Sequence, residues 1–225
     1  MYKYETHLHT FPVSCCAAAS VEETLKFYKE LGYDGIIMTN HFPVTNGNDG
    51  NATYEETLQF YFSDYEKALQ LSKTIGIKVF LGIETTYRGT DFLVYGLDKD
   101  WFFAHPEIMN MKQSDKLTLM RESGAFIIQA HPFREASYIN HIRLFPRHVE
   151  GVEIVNGNRP EAENDIAKIY CEHYGLIQFA GSDNHTASKQ EKLAGMCFEE
   201  PLSSIEDFIE KTRNHKAEIF TFANE

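Results

Sequence analysis

The sequence predicts one α/β domain spanning residues 1–225, folded as a TIM-type barrel or a distorted seven-stranded (βα)7 relative, with an open doubly wound sheet as the structural alternative. Three observations predict it. Short apolar runs alternate with longer helical patterns, which argues parallel strands joined by crossover helices. Several of those apolar runs end directly in His, Asp or Glu. The chain has 225 residues, 43% of them hydrophobic, enough for one sizeable core, and no repeat, low-complexity stretch or linker divides it.

The elements follow in order. Strand-like runs are Lys3–His9, Gly35–Thr39, Lys78–Glu84, Phe92–Gly96, Ala125–Gln129, Gly151–Val155, Ile177–Ala180, Gly195–Phe198 and Glu218–Phe222. The first helix is Val21–Leu31, where Ser20 and Glu23 have capping-box spacing. Further helices are expected over Tyr54–Ile75, Asn110–Ser123, Glu161–Tyr174 and Ile205–Asn214.

Bulk chemistry narrows the function. A net charge of −12 argues against nucleic acid or an anionic membrane as the main partner, since both reward Lys and Arg clusters. It does not exclude an anionic substrate, because bound metal ions can dominate a local field. No run is apolar and long enough to span a bilayer, and Met1–Thr10 lacks a signal-peptide core. Four cysteines, Cys15 and Cys16 adjacent and Cys171 and Cys197 isolated, form no disulfide framework. A reducing, cytoplasmic setting is expected.

The polar residues carry the chemistry. Tyr2–Thr6 leads to His7 and His9, Gly35–Thr39 to Asn40 and His41, and Val79–Ile83 to Glu84. Phe126–Ala130 leads to His131, and Ile177–Ser182 to Asp183 and His185. In a parallel barrel the C-terminal strand ends converge on one mouth. His7, His9, His41, Glu84, His131, Asp183 and His185 would then share one small volume. His7 and His9, two apart on a strand, project from the same face. Imidazole with carboxylate suits zinc, manganese or iron. A lone His at a strand end is usually a hydrogen-bonded core or surface residue. It is the recurrence at five strand ends that favours a shared metal site. His141, His148, His173 and His215 read as solvated, and His105 is left unassigned.

These residues, in this order, resemble the PHP family, named for polymerase and histidinol phosphatase. The motifs are His7–Leu8–His9–Thr10, Thr39–Asn40–His41, Gly82–Ile83–Glu84, Ala130–His131–Pro132–Phe133–Arg134, Glu153–Ile154–Val155–Asn156–Gly157 and Gly181–Ser182–Asp183–Asn184–His185. The chain looks like a small stand-alone member without the appended domains of a replicative polymerase. The resemblance implies a distorted seven-stranded barrel holding two or three divalent metal ions. One would be held by His7, His9, Glu84 and Asp183. Glu84 would bridge to a second, also bound by His131, and a third would take His41 and His185. Asp91 stands where the family often has a further His, and Asn40 where it usually has Asp. Where a further ligand often follows the first motif, Phe11–Cys16 offers only a cysteine or a water.

The implied activity is hydrolysis of a small phosphate ester by metal-activated water, with Glu84, Asp183 and Arg134 as the catalytic set. Arg134 is a candidate phosphate clamp through its planar fork, and Arg159 a second candidate. Solvated surface arginine is the ordinary reading for both. An amidohydrolase-like metal enzyme acting on a non-phosphate bond is one alternative, disfavoured because no evident carbamylated-Lys position follows a strand. A non-catalytic metal-binding module is the other. Histidinol phosphate, nucleotides, phosphorylated sugars and phosphopeptides are all compatible with such a core. Specificity is expected in the loops 43–54 and 134–147. The oligomeric state is not readable.

Overall fold

The structure is a computed structural model that describes residues 1–43 and 52–223. The turn-rich run Asn46–Asn51, expected to shape specificity, lies outside the described residues. In chain order the elements are β1 (Tyr2–Glu5), α1 (Val21–Glu30), β2 (Gly35–Met38), β3 (His41–Phe42), α2 (Tyr54–Ile75), β4 (Lys78–Tyr87) and β5 (Thr90–Tyr95). They continue as α3 (Lys99–Ala104), α4 (Gln113–Glu122), β6 (Phe126–Ala130), β7 (Gly151–Asn156), α5 (Glu161–Tyr174), β8 (Ile177–Gly181), β9 (Lys192–Phe198), α6 (Ile205–Arg213) and β10 (Ala217–Ala223).

Seven strands, β1-β2-β4-β5-β6-β7-β8, make the barrel wall. A single parallel bridge between Leu8 and Asn184 brings the two ends together, supported by His9 N–H donating to Asn184 O at 2.9 Å. β9 and β10 extend the sheet beyond β1 as an antiparallel pair, and short β3 lies along β4.

The expectation of uniformly parallel strands fails at β5. β4–β5 and β5–β6 are antiparallel. Tyr87 pairs with Thr90, so Arg88 and Gly89 alone form the connection. Both have positive φ, 51° and 81°, as a type I′ hairpin turn requires. Two residues cannot carry a parallel crossover. The reversal has a consequence for function. The start of β5, where Asp91 sits, lies at the same end of the barrel as the end of β4, where Glu84 sits.

The first strand is also shorter than the predicted Lys3–His9. The Glu5 carboxylate accepts the backbone N–H groups of Thr6 and His7, each at 2.9 Å, and so withdraws them from the ladder. The helix over Tyr54–Ile75 and that over Glu161–Tyr174 match the sequence reading. Capping boxes start α1 at Ser20 and α2 at Thr53. Helix α3 was not anticipated from sequence, although Asp98 caps it by accepting from Trp101 N–H at 2.8 Å. His105, left unassigned, stacks on Trp101 with ring centroids 4.3 Å apart.

An apolar cluster containing Tyr4, Ile37, Tyr95, Phe126, Phe179 and Met196 underlies the polar mouth. Tyr95 connects the two layers, its hydroxyl donating to Thr6 O at 2.8 Å. Packing is close where β8 passes His7. A Cβ on Gly181 would lie 2.5 Å from His7 Cβ and 2.9 Å from Glu153 Oε1. Gly181→Ala is therefore expected to destabilise the fold by about 1–3 kcal/mol, the usual cost of overpacking. Chemical denaturation measures this, and an unchanged midpoint would contradict the close approach.

Candidate metal centre

All eight candidate ligands converge. His7 and His9 follow β1, His41 opens β3, Glu84 lies in β4 and Asp91 in β5. His131 follows β6 directly, and Asp183 and His185 follow β8. Glu84 is the hub. Its Oε1 lies 3.2 Å from His7 Nε2 and 3.4 Å from His131 Nε2. Its Oε2 lies 2.7 Å from His41 Nδ1 and 3.5 Å from His9 Nε2. Asp183 Oδ1 is 3.5 Å from His7 Nε2 and 3.4 Å from His9 Nε2.

Four overlapping sets offer ligand atoms within 4.8 Å of one another: His7, His9 and Glu84; His7, His131 and Asp183; Glu84, Asp91 and His131; and His9, His41 and His185. Among the described residues, His7 Nε2, His9 Nε2 and both Glu84 oxygens are buried without a well-formed hydrogen bond, despite these short distances. The two Asp91 oxygens share that condition, even with Arg134 Nη2 at 3.0 Å. Buried polar atoms left this way are costly, and divalent cations are the group that would satisfy nitrogen and carboxylate lone pairs together.

Surrounding residues fix which lone pairs point inward. Glu153 accepts from His7 Nδ1 at 2.8 Å and from His131 N–H at 3.0 Å. The His7 proton is thereby held on Nδ1 and Nε2 is turned to the centre, the carboxylate–histidine arrangement that orients metal ligands. Ser14 Oγ lies 3.3 Å from His9 Nδ1, accepts from His41 N–H at 3.1 Å and donates to Asn40 Oδ1 at 2.8 Å. Asn40 also accepts from Thr10 N–H at 2.7 Å, so this residue ties the loop after His9 to β2. His185 Nδ1 donates to Asp183 O at 2.9 Å. Glu5, beyond the N–H groups of Thr6 and His7, accepts from Ser182 N–H at 3.0 Å, from the Ser182 hydroxyl and from Tyr28 OH at 2.8 Å. One buried carboxylate therefore holds both ligand-bearing loops.

His131 and Asp183 adopt positive φ, 23° and 52°. For non-glycine residues this is strained and persists where surrounding contacts enforce it.

Electrostatics follow from burial beside charge. Burial alone would lower the pKa of His7, but Glu153, Asp183 and Glu84 hold it well above the ordinary value. His41 behaves alike: burial opposes protonation, yet Glu84 pushes it to about 11. Burial and the neighbouring His185 and His41 drive His9 well below its usual value, so it stays a neutral donor. Glu84 is held far below the carboxylate range by His41 and His7, against its own desolvation. Burial and the nearby charge of Glu84 raise Asp91. Burial raises the Cys16 thiol too, but hydrogen bonds with His185 and His41 outweigh it and bring the thiol down to about 6.

Sequence reasoning gave no role to Glu5, Glu153 or Ser14. The signal for Glu153 was a charged residue inside the apolar run Gly151–Val155. Of the two arginines, Arg134 sits beside Asp91, and Arg159 lines a cavity of about 470 Å³ with His185, Lys189 and Gln190. His141, His173 and His215 are exposed, and His148 is half-buried.

The fold and the site define an α/β barrel with a convergent His–carboxylate centre at its mouth. The chain belongs to the PHP domain family, which it matches over residues 5–215. Among curated proteins none matches it. Solved structures share the fold. A two-domain protein from Bacteroides vulgatus named as containing a predicted PHP-like metal-dependent phosphoesterase superposes with a TM-score of 0.71 at 16% identity, over 97% of this chain and 64% of that one. This chain therefore spans under two thirds of the Bacteroides protein. A Bifidobacterium adolescentis protein named a putative metal-dependent phosphoesterase gives 0.56 at 13% identity, over 94% and 96% of the two chains. An amidohydrolase from Chromobacterium violaceum with bound sulfate gives 0.56 at 12% identity, over 84% and 89%.

Two outcomes follow from this geometry. Glu153→Gln removes the charge that fixes His7 and should weaken zinc binding about 10–100-fold in a chelator competition. An unchanged affinity would show that Glu153 does not orient the ligand. In the metal-free protein, His41 has a folded pKa raised to about 11 from 6.5. The stability it contributes is complete below about pH 6.5 and is lost as pH rises toward about 11. Bound metal reverses the trend, because it competes with the proton for the same nitrogen. Thermal melts should show the metal-induced rise in Tm growing with pH while the metal-free Tm declines; parallel curves would refute the assignment.

Proposed function

We propose that this chain is a metal-dependent phosphoesterase that hydrolyses a small phosphate ester, with histidinol phosphate among the candidate substrates. The observation that carries this reading is Glu84: a buried carboxylate with both oxygens open and four imidazoles around it. In this reading residues 1–225 act as one hydrolase domain. His7, His9, Glu84 and Asp183 hold one ion; Glu84, Asp91 and His131 hold a second; His41 and His185 serve a third. The names of the Bacteroides and Bifidobacterium relatives support phosphoester chemistry, while the Chromobacterium relative carries the amidohydrolase name.

When bound, divalent ions neutralise phosphoryl charge and lower the pKa of water toward roughly 7. The chain's own groups do the rest. Glu84, held anionic by His41 and His7, would supply negative charge between cations that otherwise repel. Asp183 adds a second anion, with Oδ1 3.5 Å from His7 Nε2 and 3.4 Å from His9 Nε2. Arg134 Nε is buried and has no hydrogen-bond partner among the described residues, so its fork can still donate to a phosphoryl oxygen. Arg159 Nε is in the same condition beside His185. A cavity of about 660 Å³ lined by Arg134, Ser137, Asn140 and His141 gives the remainder of a small substrate room on one side. The reading requires neither nucleic acid nor membrane. Among the described residues no helix is long and apolar enough to cross a bilayer.

Glu84→Gln tests the reading. Gln keeps the shape but offers one neutral oxygen and a nitrogen that cannot ligate. The variant should fold, lose metal and lose turnover of p-nitrophenyl phosphate and histidinol phosphate assayed with zinc, manganese or iron. Near-normal activity with full metal content would overturn the mechanism. Arg134→Ala should keep its metals and lower kcat/KM about 10²- to 10³-fold, as expected for one lost transition-state donor. Equal activity would remove Arg134 from the site.

A further inference from the structure

His41 and His185 differ from the other candidate ligands in lying at the rim, half-buried, with imidazole as their own chemistry. With His9 they can present three nitrogens within 4.8 Å of one another. The His9 ring stacks against each of the other two, at centroid distances of 4.3 Å to His41 and 4.2 Å to His185, which are 6.0 Å from each other. His9 Nε2 is buried and without a well-formed hydrogen bond among the described residues, 3.5 Å from Glu84 Oε2 and 3.4 Å from Asp183 Oδ1. Three imidazoles alone bring no negative charge to a dication. The nearest carboxylates, Glu84 and Asp183, also face His7 and His131.

The loop 11–19 supplies what is missing. Ser14 is tied to Asn40 and His41, and Ala18 N–H donates to His185 O at 2.7 Å. Between these two anchors the chain carries Cys16 over the rim. Its thiol contacts the side chains of both His41 and His185. Of the other described cysteines, Cys171 and Cys197 are buried elsewhere, on α5 and β9, and Cys15 is exposed on the same loop.

We propose that Cys16 is a sulfur ligand of the third metal position, which it forms with His41 and His185 against His9. The proposal rests on the metal-centre reading above and deepens it. The thiol proton passes to solvent as the sulfur–metal bond forms, so the site gains one negative charge. The two ends of the centre then differ in kind. Glu84, Asp91 and His131 make an oxygen-rich position that suits manganese or iron. Cys16, His41 and His185 make a softer, nitrogen–sulfur position that suits zinc. The metal centre of this chain is on this view heterogeneous, with zinc at the rim.

Cobalt(II) reports sulfur ligation independently of activity. Metal-depleted full-length protein is reconstituted with cobalt and its absorption spectrum and cobalt content are measured. A sulfur-to-cobalt charge-transfer band in the near ultraviolet is expected in the wild type and in Cys15→Ala. It should be lost in Cys16→Ser and Cys16→Ala, while the visible bands of cobalt at the remaining positions persist and the cobalt content falls. As a second measurement, zinc should suppress iodoacetamide alkylation of wild-type Cys16, read by mass spectrometry. A wild type that binds cobalt and hydrolyses phosphoesters without the band, or a band that survives Cys16→Ser, would overturn the role of Cys16 and leave the phosphoesterase reading standing. Alkylation unaffected by zinc would overturn it equally. Failure to take up cobalt at all would overturn both.

Discussion

The organising constraint is a group of carboxylates buried in one small volume. Glu5, Glu84, Asp91 and Glu153 are almost wholly shielded from water. A buried anion is costly unless hydrogen bonds or counter-charge compensate it. The four solve this in two ways. Glu5 and Glu153 are surrounded by donors: backbone N–H groups, hydroxyls, an imidazole and an amide. Glu84 and Asp91 instead face imidazoles and one arginine, with no well-formed hydrogen bond to either carboxylate. The first pair forms the scaffold that holds the loops, and the second pair is left for cations. The separation of roles comes from what surrounds each group, since the side chains are chemically near-identical.

Backbone architecture makes the arrangement possible. Glu84 and Asp91 come from adjacent strands joined by a two-residue turn, so both project at one end of the barrel. His131 and Asp183 reach the same volume from strained backbone, φ 23° and 52°, immediately beyond β6 and β8. The hydrogen bond from His131 N–H to Glu153 helps to enforce that strain at the first. Strain of this kind costs on the order of 1–3 kcal/mol per residue and persists where packing over-determines it. Gly181, against His7 and Glu153, shows how little room remains.

Polarity is graded from the floor to the rim. Aromatic and aliphatic side chains fill the barrel below Tyr95, the imidazole–carboxylate layer sits above it, and Arg134, Arg159 and Cys16 stand at the opening. The acidic net charge of the chain does not forbid an anionic substrate, because cations would be concentrated at the mouth, with two arginines flanking it.

Much of the centre was legible in the sequence. Apolar runs ending in His, Glu or Asp placed His7, His9, His41, Glu84, His131, Asp183 and His185 at one mouth, because a strand's direction and end are local properties written in hydrophobic pattern. Asp91 was found only through family resemblance, since its strand runs the other way and carries the residue at its start. Glu5, Glu153 and Ser14 were not assigned a role. Their function depends on which loop each side chain meets across the barrel, and Glu5 meets Ser182, 177 residues away. The residue types at the mouth and the elements that deliver them are readable from local hydrophobic pattern. Which carboxylates are satisfied and which stay open is settled by the folded arrangement. That is because a hydrogen bond or an exposed lone pair is fixed by contacts between distant segments, and no local pattern encodes them.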